Sequence, residues 1–155
     1  MGLERLSSIY QTVLMDHYQH PRNRKKLQEA THQMELLNPT CGDAIMIECL
    51  VKDQIVEEIG FSGHGCAISI ASASMMTQAL KGKSVQKVKI LIDNFNALIG
   101  GQSDQTIATS DLKEDLKEAI LLENINQFPA RYKCAVLAWR ALEKGLNREE
   151  SGEII

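Results

Sequence analysis

Ala44-Ile45-Met46-Ile47-Glu48-Cys49-Leu50-Val51-Lys52-Asp53-Gln54-Ile55-Val56-Glu57-Glu58-Ile59-Gly60-Phe61 is the stretch that decides the fold class. Two runs rich in Ile and Val, Ala44 to Val51 and Gln54 to Phe61, flank a tight Lys52-Asp53 turn and read as a β-hairpin. Downstream, Gly60, Gly63 and Gly65 are expected to break the second strand, and a helix then starts near Ala67. It runs to about Lys81, where Gly82 suits a C-terminal cap. Upstream, Gln33 to Asn38 is a short third strand, preceded by a polar loop from Arg22 to His32.

Helical signals fill the remainder. Leu3, Leu6, Tyr10, Val13, Leu14 and His17 recur at three- and four-residue spacing and make one apolar stripe, ended by Pro21. Val85, Val88, Leu91, Ile92, Phe95, Leu98 and Ile99 make another, stopped at Gly100-Gly101. Residues 100–110 read as an exposed loop, and Ser110 can cap a helix with Leu112, Leu116 and Ile120 on one face. Pro129 suits the first position of a last helix reaching about Lys144. Strands followed by a run of helices argue an α+β fold, a small antiparallel sheet of about three strands with helices packed on one face. A length of 155 residues suits one domain over 1–155, with an acidic tail at 147–155 expected to be frayed.

The bulk chemistry excludes several classes. Apolar content is 44% and charged content 24%, ordinary for a globular protein, and the net charge of −3 argues against a general nucleic-acid binder. The short basic run Arg22-Asn23-Arg24-Lys25-Lys26 reads as solvated surface, with partner docking as the sharper alternative. No stretch approaches the roughly 20 apolar residues of a membrane span, and Met1 to Ser8 lacks the apolar core of a signal peptide. The expected location is the cytoplasm, where four cysteines are not expected to form a disulfide framework.

Three of those cysteines stand at joints between elements. Cys41 lies in the turn Asn38-Pro39-Thr40-Cys41-Gly42-Asp43, with Asp43 two residues on, and thiolate and carboxylate both ligate zinc. Cys66 lies in Gly63-His64-Gly65-Cys66-Ala67, at a helix N-terminus whose partial positive charge lowers a thiol pKa. Cys134 follows Arg131 and Lys133 near the start of the last helix, and these cations are expected to favour its thiolate. The gaps of 25 and 68 residues leave two readings open, a shared metal site or three small buried hydrophobes. Cys49 is in phase with Ile45, Ile47 and Val51 and reads as core. His64 reads as a solvated loop residue, although it stands near enough to Cys66 to share a metal; His17 reads as packed or capping, and His20 and His32 as surface residues. The small residues of Ile68-Ser69-Ile70-Ala71-Ser72-Ala73-Ser74 read as permitting close packing, and no base stands beside these serines to make one a nucleophile.

Four ordered blocks carry a family resemblance: Tyr10 with Asp16-His17-Tyr18 and Pro21-Arg22-Asn23; Asn38 to Asp43; Gly63 to Ser69 with Ala71 to Ser74; and Arg131 with Cys134-Ala135 and Leu137-Ala138-Trp139. With them the chain resembles the IscU-like proteins of iron–sulfur cluster assembly, related to the NifU N-terminal domain, and most closely the SufU branch. The resemblance implies that Cys41, Asp43, Cys66 and Cys134 meet as metal ligands at one exposed end of the fold. It implies zinc, with iron or a transient [2Fe–2S] cluster as the alternative occupant. It implies a partner cysteine desulfurase, a PLP enzyme, whose persulfide sulfur Cys41 accepts as the catalytic thiol of a zinc-dependent sulfurtransferase, and downstream iron–sulfur assembly or acceptor proteins. Lys133 stands where IscU proteins carry a ligating His, and a cationic lysine is a poor ligand. The chain also carries extra residues around 95–115, as SufU proteins do.

Overall fold

The computed structural model describes residues 2–100 and 114–153, with backbone alone at 2–7, 126 and 127. Helix α1 (Gly2–Gln19) is followed by strands β1 (His32–Asn38), β2 (Asp43–Lys52) and β3 (Ile55–His64). Helices α2 (Ala67–Leu80) and α3 (Val85–Gly100) come next. Lys117–Gln127 and Pro129–Arg131 are 3₁₀ segments, and α4 (Tyr132–Leu146) and a two-residue strand β4 (Gly152–Glu153) close the order. The sheet order is β3-β2-β1-β4, antiparallel between the three long strands and parallel between β1 and β4. The three expected strands are present, and β4 adds a short fourth beside Leu36 and Leu37.

Strand alternation sets the core face. Met34, Leu36 and Asn38 of β1 point inward, as do Asp43, Ile45, Ile47 and Cys49 of β2. The hairpin turn lies at Asp53 and Gln54, with φ of 50° and 65°, one residue later than the sequence reading placed it. The glycines do not break β3, which runs through Gly60 and Gly63 to His64. Gly60 instead lets the backbone at Lys25 approach, since a Cβ there would stand 2.5 Å from the Lys25 carbonyl oxygen.

Helix α4 packs on β1 and β2, and α2 lies between α1 and α4. Helix α2 is buried nearly all round, and its small residues let neighbours come close. Ser72 shows the purpose of a small polar side chain there: its hydroxyl donates to the Ala135 carbonyl and accepts Trp139 Nε1–H at 2.9 Å. Trp139 stacks on Phe95 of α3, with ring centroids 3.8 Å apart and planes 7° from parallel. Removing such a buried aromatic costs about 3–5 kcal/mol.

The helix expected around Leu112, Leu116 and Ile120 is helical over 114–116 and becomes a 3₁₀ run from Lys117, burying Leu116 and Ala119; Ser110 and Leu112 lie outside the described residues. Pro129 opens a 3₁₀ turn that feeds α4. The basic run is pinned to the protein: Arg22 pairs with Asp16 at 2.6 Å, and Arg24 Nη2 donates to the Gly63 carbonyl at 2.8 Å.

Candidate metal centre

Asn38 and Asp43 are register partners at the end of the β1–β2 ladder, so both side chains fall on the core face. Between them Pro39 to Gly42 form a tight connection. Cys41 N–H donates to the Asn38 carbonyl at 3.2 Å, and Gly42 takes φ +70°. Cys41 is therefore carried on a turn tip, half-buried, above the polar end of the core.

Cys66 arrives from the opposite side as the N-cap of α2, its Sγ accepting Ser69 N–H at 3.4 Å. Cys66 N–H and the Ser69 hydroxyl donate to Asp43 Oδ1 at 2.8 and 3.1 Å. Gly65 makes this possible, because a Cβ there would stand 2.3 Å from Ser69 Oγ and 2.7 Å from Asp43 Oδ1. Asn38 Nδ2 donates to Asp43 Oδ2 at 3.1 Å and lies 3.7 Å from Cys134 Sγ. Cys134, in the first turn of α4, is wholly buried, with its Sγ 3.2 Å from that of Cys41. Arg131 Nη1 reaches Cys41 Sγ at 3.9 Å from the exposed rim.

The ligand atoms of Cys41, Asp43 and Cys134 all lie within 4.8 Å of one another. Cys66 borders this trio through its hydrogen bond to Asp43 but falls outside the mutual 4.8 Å group. Cys66 and Cys134 shift each other in opposite directions. Interaction with Cys134, aided by the Ser69 N–H and hydroxyl, draws Cys66 down to about 6 against the opposing burial and Asp43 charge. Cys134 is pushed far upward by Cys66 first, then by burial and Cys41. The expectation that Arg131 and Lys133 would favour the Cys134 thiolate is thus overturned: the buried sulfur keeps its proton beside an ionised neighbour. Arg131 faces the sulfurs, and its hydrogen bond with Cys134, followed by the charge of Cys66, raises its own pKa.

The donor set suits a thiophilic divalent metal such as zinc, which takes thiolate and carboxylate ligands. A buried carboxylate among thiols and a buried Asn38 Oδ1 without a partner mark this as a polar end built for more than packing.

A model of the NifU-like N terminal domain matches residues 9–135 of the chain. The chain belongs to the family of NifU-like N-terminal domains. Among relatives of this family, the zinc-dependent sulfurtransferase SufU of Bacillus subtilis (strain 168) is 42% identical over 148 residues, covering 95% of each chain. The iron–sulfur cluster assembly scaffold protein IscU of Streptococcus pyogenes serotype M1 is 37% identical over 153 residues, covering 99% of this chain and 92% of that one. The crystal structure of a candidate scaffold for the SUF system, FiSufU of Fervidobacterium islandicum AW-1, is similar with a TM-score of 0.78 and 28% identity, covering 86% of this chain and 93% of that one.

The structure brings Cys41, Asp43 and Cys134 together, with Cys66 beside them. Cys49 is core, as read, and burial raises its thiol to about 11. His64 is exposed and outside the ligand group. His17 is packed, with no exposure. Its partners were missed: Nδ1 meets the Ser74 hydroxyl at 2.7 Å, and Nε2 donates to Glu118 at 2.8 Å. A base therefore does stand beside a serine, brought from α1. Ser74 is fully buried and also accepts Arg22 N–H at 2.8 Å, so the array fastens elements together and offers no accessible nucleophile. Asn38 and Ser69 were also missed as partners of Asp43. The available signal was a polar residue in phase with inward-facing Met34 and Leu36.

Proposed function

We propose that the chain is an iron–sulfur cluster biogenesis factor of the cytoplasm, in which zinc held by Cys41, Asp43, Cys66 and Cys134 serves a sulfur acceptor. The observation that carries this reading is the meeting of Cys41, Asp43 and Cys134 within 4.8 Å, next to a helix-capping Cys66. The 42% identity to a protein described as a zinc-dependent sulfurtransferase supports it. Zinc, when bound, keeps the thiols deprotonated at neutral pH. The chain supplies the rest. Asn38 and Ser69 hold the two Asp43 oxygens, and the buried Cys134 and capping Cys66 form the fixed wall of the site.

Cys41, on its turn tip, is the acceptor. Its thiolate attacks the outer sulfur of a persulfide on a partner cysteine desulfurase, a PLP enzyme. A new S–S bond forms at Cys41, the partner's S–S bond breaks, and the partner cysteine leaves as a thiolate, with no net oxidation. The sulfur then passes to downstream iron–sulfur assembly or acceptor proteins. In this sense the chain acts as a zinc-dependent sulfurtransferase working with the desulfurase.

Elemental analysis paired with desulfurase turnover tests this. About one zinc per chain with a large rise in turnover, abolished by Cys41→Ala, is expected. A Cys41→Ala protein that accepts sulfur at the normal rate sinks the acceptor role. The second reading is a scaffold for a labile [2Fe–2S] cluster on the same ligands, favoured by the 37% identity to a protein described as an IscU scaffold. It predicts iron and sulfide in equal amounts and little effect on turnover.

A further inference from the structure

Each of the three sulfurs has its own hydrogen-bond donor, and the donors differ in kind. Cys66 Sγ takes Ser69 N–H, a backbone donor fixed by the start of α2. Cys134 Sγ faces the Asn38 amide, fixed on β1 with 1% exposure. Cys41 Sγ, on its turn tip, faces a charged donor, the Arg131 guanidinium at 3.9 Å, on an exposed side chain that also interacts with Cys134.

We propose that Arg131 is the positioning residue for the acceptor sulfur, its guanidinium orienting the Cys41 sulfur before transfer and following the lengthened persulfide after it. This inference rests on the acceptor role of Cys41 given above. A charged donor stabilises an anionic sulfur about twice as strongly as a neutral one. The planar fork accommodates an anion that lengthens by one sulfur atom, where a point charge follows it less well. The backbone of Arg131 is fixed, its N–H donating to the Phe128 carbonyl at 2.8 Å just before α4, while the side chain is free to follow Cys41. Arg131 is exposed and Cys41, like Cys66, is half-buried, while Cys134 is buried. In the transfer the negative charge of the Cys41 thiolate leaves on the partner's thiolate, and the new Cys41 persulfide becomes an anion when its terminal sulfur gives its proton to solvent. Arg131 acts on the first and last of these without forming or breaking a bond.

The test uses zinc-loaded full-length chain as wild type, Arg131→Gln, Arg131→Lys and Cys41→Ala. The readouts are zinc per chain, the KM and kcat of desulfurase stimulation, and the single-turnover rate of the one-sulfur mass gain on Cys41. Arg131→Gln is expected to keep its zinc and its KM within a few-fold while the single-turnover rate falls roughly 10- to 100-fold, and Arg131→Lys to recover part of the loss. A wild-type rate in Arg131→Gln overturns the inference. So does a loss confined to KM, which makes Arg131 a docking residue, and so does a loss of zinc, which makes it a determinant of metal loading. A Cys41→Ala chain that still accepts sulfur removes the underlying reading instead, so the two failures are distinguishable.

Discussion

Asn38 and Asp43 face each other across the last rung of the β1–β2 ladder, and the Asn38 amide donates to Asp43 Oδ2 at 3.1 Å. The same amide lies 3.7 Å from Cys134 Sγ, so one side chain orients two of the proposed ligands. Replacing Asn38 by Leu keeps the volume and removes the donor. Zinc affinity is expected to fall about 10- to 100-fold, as it does when an outer-shell partner is lost. Competition against a chromophoric chelator measures it; unchanged affinity would remove Asn38 from the site.

Gly65 leaves the space through which Asp43 meets the α2 N-terminus. The Cβ of Gly65→Ala would lie 2.7 Å from Asp43 Oδ1 and 2.3 Å from Ser69 Oγ, both held in hydrogen bonds. A stability loss of about 1–3 kcal/mol is expected from this overpacking. Reduced zinc content should accompany it. Denaturant unfolding and metal analysis of the same preparation would show both, and a chain that keeps both would mean that the Asp43 carboxylate relocates freely.

The cysteines differ in reactivity by position. In metal-stripped protein Cys66 titrates at about 6, so its thiolate fraction rises as pH passes that value and is nearly complete at pH 8. Alkylation at Cys66 should therefore climb through about pH 6 and then level off. Cys49, buried and raised to about 11, stays protonated and should remain unmodified throughout. Site-resolved mass spectrometry reads the order directly; Cys49 reacting ahead of Cys66 would contradict it.

The buried His17–Ser74 contact ties α1 to α2, and Glu118 extends it to the 3₁₀ run. Ser74→Ala leaves the His17 ring and the Arg22 N–H each short of a partner, at a cost of about 1–3 kcal/mol. That corresponds to a fall of roughly 2–4 °C in Tm per kcal/mol. Zinc content and desulfurase stimulation should be unaffected. Loss of stimulation at full zinc occupancy would show that the array does more than fasten helices.

Metal removal should lower the melting temperature, because ligands converging from separate elements stabilise the fold by binding it alone. Calorimetry with and without a chelator checks this, and Cys134→Ala should show a smaller chelator response than wild type. An equal response would place the metal elsewhere.

The amino-acid sequence by itself determined the elements and the chemistry on offer. The Ile- and Val-rich runs of 44–61 encode the hairpin, and the apolar stripes of α1 and α3 encode helices, because two- and 3.6-residue periodicities are local properties of the chain. The glycine breaks were misread for the same reason: Gly60 answers to Lys25, a neighbour distant in sequence. Cys41, Cys66 and Cys134 were legible as unusual thiols and, through their motifs, as a family. Only the tertiary structure decided which side chains serve which sulfur. Asn38 reaching Cys134, Arg131 reaching Cys41, and His17 reaching Ser74 join residues 96, 90 and 57 positions apart. The pKa order of the thiols follows from those meetings, since burial and neighbouring charge exist only once β1, α2 and α4 pack around one end of the sheet.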